Sequence, residues 1–380
     1  MEDRANPRCT RVSIIDKKIK QPITTLSRVL ILFCGSGNQR FHGEEMLRRP
    51  SACIIDNPSF GDVVRTSMKP LQASDITGTY ATLLLPINAD DGIDLARVEV
   101  QLDYLIQAGV DGIYAHGTAG EFYSLSEREF TELNELLALK CESAGMPFQI
   151  GACFPTPQLS LDRARRAAQL SPGAIQVILP DWYPLTLQES IAYLERMAEL
   201  IAPVPLVLYN PPHAKRVLEP EDYLELCRQI PSLVGIKVGG GDDRWYERMR
   251  PLAGRLSIFV PGHALATGYA RGATGSYSNV ACLQPAGAKR WNRLMQTDLP
   301  AALAIEAQIQ KFMTTYVVPF RDVKGHSNMA LDKLLACVGN WAPVGTRLRW
   351  PYTGVAESEV ERLRVVARAS IPSLFEDVPV

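Results

Sequence analysis

The stretch Leu233-Val234-Gly235-Ile236-Lys237-Val238-Gly239-Gly240-Gly241 organises the reading of this chain. Its short β-branched run reads as a buried strand, and the glycines that follow read as the strand's exit loop. Inside the run stands a lysine, Lys237. Burial disfavours an ammonium, because it takes the charge out of water. The same desolvation favours the free amine, the form that attacks a carbonyl. Taken alone, the stretch also fits a lysine that snorkels out at a strand end. The surrounding pattern has to decide.

Outward from this stretch, apolar strand-like runs alternate with amphipathic helical ones. The pattern predicts strands at 80–85, 112–115, 148–151, 174–179, 206–209, 233–238, 256–260 and 275–278. Helices are predicted between and after them, near 95–107, 126–140, 159–170, 187–201, 220–228, 242–252, 264–270 and 285–295. Ser126 followed by Glu129 is a capping box and marks a helix start. Eight βα units in about 220 residues fit an α/β fold of the (β/α)8 TIM-barrel kind, which typically takes ~250. An open doubly wound sheet is the alternative, but no G-x-G-x-x-G follows the first strand.

Residues 298–380 carry helical patterns only, near 299–315, 328–338 and 357–369, and read as a C-terminal helical extension of a barrel spanning 68–297. Residues 1–67 differ in texture. Their periodicity is poor and their one apolar run, Val29–Cys34, is too short and too far in for a secretory signal. They are expected to form a disordered or loosely docked extension.

The bulk numbers exclude several classes. The chain has 380 residues, 46% of them hydrophobic, and a net charge of -1. Balanced charge leaves no electrostatic footprint for nucleic acid. No apolar run approaches the ~20 residues that span a bilayer. The eight cysteines form no C-x-x-C pair and the five histidines show no ligand spacing, so neither a metal site nor a disulfide framework is expected. A reduced, cytoplasmic protein is the simplest reading.

In a barrel, reactive groups sit at the C-terminal ends of the strands. The second strand exits through His116-Gly117-Thr118-Ala119-Gly120-Glu121, where glycines let backbone N–H groups approach an anion such as a carboxylate. The fifth strand ends in Tyr209-Asn210-Pro211-Pro212 and the sixth carries Lys237. Neighbouring strands thus set a phenol beside an amine, a pairing suited to the proton transfers of imine formation.

These motifs, in this order, resemble the dihydrodipicolinate synthase / N-acetylneuraminate lyase family from Gly78 to about Pro351. The family's G-[TS]-T-G-E loop is similar to Gly117–Glu121, its L-s-x-x-E-r stretch to Leu125–Glu129, its Y-N-x-P to Tyr209–Pro212 and its G-I-K to Gly235–Lys237. The resemblance implies a class I lyase in which Lys237 forms an imine with pyruvate or another 2-oxo acid, with no cofactor besides that covalent imine. It implies that Tyr209 relays protons with Thr118, and that the amides of Thr118 and Ala119 hold the carboxylate. Gly117, Trp182 and Tyr277 complete the expected substrate contacts, with Asp181, His213 and His263 also at the mouth. A homodimer or homotetramer is implied as well.

The departures bear on the substrate. The second family threonine is Ala119 here, which removes one hydroxyl contact. Trp182 stands about where the synthases carry a tyrosine that reaches into a neighbouring subunit. The synthases' arginine for the second substrate's carboxylate is Ala214, with Lys215 and Arg216 out of register. An authentic synthase is therefore disfavoured. The expectation is an aldolase or a 2-keto-3-deoxy acid dehydratase; the alternative is a non-catalytic barrel that senses a 2-oxo acid. Retention of both Lys237 and Tyr209 favours the enzyme. A chain shortened to begin at Met68 should keep nearly the full melting temperature and activity, as thermal unfolding and turnover would report.

Overall fold

The computed structural model describes residues 68–376. The extension expected at 1–67 lies outside the described residues. Eight parallel strands close into a barrel in sequence order: β1 (Gly78–Thr82), β2 (Gly112–Ala115), β3 (Phe148–Gly151), β4 (Ala174–Ile178), β5 (Leu206–Asn210), β6 (Leu233–Val238), β7 (Ser257–Phe259) and β8 (Gly275–Tyr277). Closure runs through the parallel β1–β8 pair, with Tyr80 opposite Tyr277.

Helices α1 (Leu95–Gln107), α2 (Glu127–Ala144), α3 (Pro157–Ala168), α4 (Leu187–Ile201), α5 (Pro220–Gln229), α6 (Asp243–Met249) and α7 (Leu265–Ala270) alternate with the strands. Local chemistry starts them. Ser126 and Thr186 form complete capping boxes with Glu129 and Glu189. Proline opens α3 and α5, where its missing N–H costs nothing. After β8 the chain makes a short helix, α8 (Asn279–Leu283), before α9 (Pro285–Thr297). Periodicity did not reveal α8, which is too short to show a stripe; Ser278 caps it by accepting from the Ala281 N–H.

The C-terminal extension comprises α10 (Leu299–Phe312), α11 (Val318–Asp322), α12 (Asn328–Gly339) and α13 (Ser358–Ser370). The helix expected over 299–315 instead passes into a π turn at Met313–Val317. Among the described residues no helix is long and apolar enough to cross a membrane.

Two apolar clusters follow from the period-2 alternation of the strands. The larger fills the space between sheet and helices, with Ile113, Ile150, Leu208 and Ile236 pointing outward. The smaller is the inside of the barrel and is aromatic: Tyr80, Tyr114, Phe259 and Tyr277 pack edge to face or tilted, with centroids 4.4–5.8 Å apart. Val234 and Lys237 both turn inward despite an odd spacing. The β5–β6 register explains it: Leu206 pairs with Leu233, but Val207 pairs with Gly235. This irregularity inserts one residue in β6 and reverses which side chains face the axis beyond it.

The extension is tied to the barrel by charge as well as by packing. Lys333 on α12 and Glu121 at the end of the β2 loop form an ion pair at 2.6 Å with both side chains fully buried. Lys333 also donates to the Arg347 carbonyl at 2.6 Å. Arg349 reaches back in bidentate fashion to Glu129 at 2.7 and 2.9 Å, and donates to the Ser124 carbonyl. Removing one partner of a buried pair strands the other charge. Lys333→Met or Glu121→Leu should therefore destabilise the protein by about 3–5 kcal/mol, and the double variant by less than the sum. Denaturant unfolding of the three variants measures this.

Candidate active site

A cavity of about 840 Å³ opens at the C-terminal ends of the strands. Of the residues expected in the site, Lys237, Tyr209, Thr118, Ala119 and Tyr277 all line it. Register places Tyr209 directly opposite Lys237 on the adjacent strand. The Tyr209 hydroxyl is 3.2 Å from Thr118 Oγ1, so phenol and threonine form one hydrogen-bonded unit.

Lys237 is half-buried rather than sealed in an apolar strand. Its Nζ donates to the Tyr114 hydroxyl at 2.9 Å. It lies 4.2 Å from the centroid of the Tyr209 ring, 5.0 Å from Tyr114 and 5.1 Å from Tyr277. Aromatic faces near a nitrogen stabilise a positive charge that forms there, such as an iminium. Burial pushes the Tyr114 phenol well above its ordinary value, and does the same to Tyr277. Both therefore stay protonated near neutrality and act as hydrogen-bond partners, not bases. The sequence reading passed over Tyr114. Its signal was its place at the inward end of β2, immediately before the glycine loop.

The loop carrying Thr118 is held in an unusual backbone shape. His116 and Glu121, which bracket it, both have positive φ, +64° and +49°. Side chains with a Cβ adopt this region only when their surroundings impose it. Here the surroundings do so at both ends. His116 Nε2 sits 2.9 Å from Asn134 Oδ1 on α2, and burial lowers its pKa to about 3, so it is a neutral donor. Glu121 is anchored by Lys333. Beneath the loop, the fully buried Arg163 donates to the carbonyls of Phe122, Leu125 and Cys153 and pairs with Glu127 at 2.9 Å. Thr118 and Ala119 are thus presented by a segment fixed on three sides.

Two expected substrate contacts fall elsewhere. Gly117 is not on the cavity wall; it leaves room for Tyr114, because a Cβ there would come within 2.5 Å of the phenol oxygen. Trp182 is 87% exposed on the loop after β4, outside the cavity, with the Lys215 ammonium over its ring. Among the described residues nothing buries this large apolar side chain. Asp181 likewise faces away from the cavity and accepts from the Lys215 N–H. Lys215 and Arg216 do not replace the missing arginine: Lys215 donates to the Trp182 carbonyl and Arg216 to that of Leu185. His213 and His263 do line the cavity. Asn279 bonds both the ring Nδ1 and the backbone N–H of His263, and burial lowers that imidazole's pKa.

With this geometry in place the comparisons with known proteins become decisive. The model of the dihydrodipicolinate synthetase family matches residues 75–370. The chain belongs to that family. It is 29% identical over 177 residues to the N-acetylneuraminate lyase of Rhizobium meliloti, covering 46% of this chain and 58% of the lyase. It is 27% identical over 183 residues to the N-acetylneuraminate lyase of Escherichia coli K12, covering 47% and 60%. The chain thus spans about three-fifths of the length of these curated relatives. Among solved structures it is similar to a prophage protein of the dihydrodipicolinic acid synthase family from E. coli K12 in complex with pyruvate. The TM-score is 0.69 at 20% identity, with 78% of this chain and 98% of that one covered. It is also similar to a Ruminococcus gnavus sialic acid aldolase, with TM-score 0.68, 18% identity and coverages of 79% and 98%. At these identities the likeness to solved structures establishes the barrel.

The family loop tolerates no side chain at its first glycine here, because Tyr114 fills that space. Gly117→Ala should destabilise the protein by about 1–3 kcal/mol through overpacking and pull the phenol away from Lys237. Thermal unfolding together with a crystal structure of the variant would report both effects.

Proposed function

We propose that this protein is a Schiff-base-forming lyase that acts on pyruvate or another 2-oxo acid, by aldol cleavage or condensation or by dehydration of a 2-keto-3-deoxy acid. The observation that carries the reading is the Lys237 amine at the open end of the barrel, opposite the hydroxyl pair of Tyr209 and Thr118. Family membership and the names of its relatives support it. So does a solved form of the sialic acid aldolase described as a catalytic lysine mutant.

The chemistry follows from the residues. The substrate carboxylate binds the amides of Thr118 and Ala119, in a loop preset for an anion. The Lys237 amine attacks the keto carbon, and the Tyr209 hydroxyl, bonded to Thr118, shuttles the proton that lets the carbinolamine lose water. The iminium then withdraws electrons from the adjacent bond and accepts the pair released when a C–C bond breaks, leaving an enamine. Protonation and hydrolysis release the 2-oxo acid. The three ring faces around Nζ stabilise the iminium throughout. In this reading no cofactor takes part besides the covalent imine on Lys237.

The same reading includes a cytoplasmic location and assembly as a homodimer or homotetramer. Trp182 and Tyr183, 87% and 79% exposed on one loop, are side chains that a neighbouring subunit would cover.

Borohydride added with pyruvate should reduce the imine and leave a covalent adduct, located by mass spectrometry on the peptide containing Lys237. Lys237→Ala should abolish trapping. Lys237→Arg should do so too, because a guanidinium stays protonated. Tyr209→Phe should slow trapping by roughly 10²–10⁴. Normal trapping with alanine at 237 would end the proposal.

A further inference from the structure

The C-terminal extension contributes one carboxyl group to the site. Asp332 on α12 lines the same cavity as Lys237 and is the only acidic side chain to do so among the described residues. Its neighbour Lys333, a fraction of a turn further round the helix, is drawn into the buried pair with Glu121, which helps to hold the rotation of α12. Asp332 has no hydrogen bond or ion pair among the described residues. The other cation on the cavity wall, Arg321, is held by Asp322 at 2.6 Å. Among the described residues Lys237 has no carboxylate partner either; its nitrogen bonds only the Tyr114 hydroxyl. One cavity wall therefore carries both a carboxyl without a partner and an amine without a counter-ion.

We propose that Asp332 is the residue that moves a proton on and off the carbon next to the imine carbon of the bound 2-oxo acid. The proposal rests on the Schiff-base reading of Lys237. An adduct on Nζ lies in the cavity whose wall Asp332 shares, and the proposal requires its CH3 or CH2 carbon to turn towards that carboxyl. In the forward sense the carboxylate takes a proton from that carbon of the iminium. The C–H pair becomes the C=C bond of the enamine, the C=N pair returns to nitrogen, and Asp332 becomes the neutral acid. In the reverse sense the same acid protonates the enamine left by C–C cleavage.

The other titratable groups around the cavity suit this task less well. Tyr114 from β2, Tyr277 from β8 and Cys282 from α8 are held protonated by burial. The Tyr209 hydroxyl, bonded to Thr118, already serves the carbinolamine in the reading above. His263 is bonded to Asn279, and His213 lies on the loop after β5. Burial lifts the Asp332 carboxyl to about 7, against the opposing pull of the Lys237 charge. An acid–base group poised at the operating pH is the most effective kind.

The experiment compares two readouts on the full chain: borohydride trapping of pyruvate, and loss of the pyruvate methyl signal by proton NMR in D2O. In the wild type, methyl exchange should rise as the pH passes through about 7, as Asp332 ionises. Asp332→Asn should still trap pyruvate on Lys237, because attack by the amine does not use Asp332. Its methyl exchange should fall by roughly 10²–10⁴, and Asp332→Glu should restore part of it. Exchange in the asparagine variant within a few-fold of wild type, or a limb near neutrality that survives there, would give the proton to another group on the cavity wall, Tyr209 included, and overturn the assignment. Trapping and exchange lost together in a folded variant would overturn it as well. If the asparagine variant does not fold, the wild-type pH profile decides: a flat profile between pH 6 and 8 rejects Asp332. Failure of the wild type to trap pyruvate would instead remove the Schiff-base reading beneath it.

Discussion

Closing eight short parallel strands into a barrel leaves a central space that inward side chains must fill, and here aromatic rings fill it. Tyr80, Phe259, Tyr277 and Tyr114 form a continuous layer across the axis. This layer sets the floor of the cavity and so the depth at which Lys237 can stand. A lysine one layer lower would be sealed among rings. One layer higher it would be in water. At the observed level its nitrogen rests on π faces and donates to a phenol while remaining open to a substrate.

A second constraint follows from the loop beside that lysine. A backbone bracketed by two non-glycine residues at positive φ does not hold its shape unaided. It is held by His116 to α2, by Glu121 to α12 and by Arg163 from beneath. The C-terminal helices thereby acquire a physical purpose that their periodicity does not suggest. They supply the buried cation that secures the loop, and the adjacent position on the same helix supplies the carboxyl on the cavity wall. Without the Lys333 ammonium in place, Glu121 would be left as a buried, unpaired charge, a state costly enough to remodel the loop.

Much of this was legible in the chain. Hydrophobic alternation placed all eight strands within a few residues, and the Ser126–Glu129 capping box placed the start of α2, because these signals are local. Tyr209, Lys237 and Thr118, singled out from strand ends, the glycine loop and the family resemblance, line one cavity. Trp182 lies outside this chain's own cavity, and its position in sequence, just after β4, does not say whether the loop turns over the mouth or out to solvent. Tyr114 and Asp332 were missed for different reasons: the first reads as ordinary core, and the second lies on a helix whose apolar stripe hides a single carboxyl.

The sequence by itself determined the order and kind of the elements, since propensity, alternation and capping act over a few residues. It also supplied the primary amine, on a strand of the barrel, that the proposed imine chemistry requires. The tertiary structure decided which side chains meet. Lys237 faces Tyr209 because an irregular register between β5 and β6 inserts one residue and turns the lysine inward. Asp332 faces the cavity because its neighbour is locked into an ion pair some two hundred residues away in sequence. Register and helix rotation are settled by contacts between distant segments, and no local pattern encodes them.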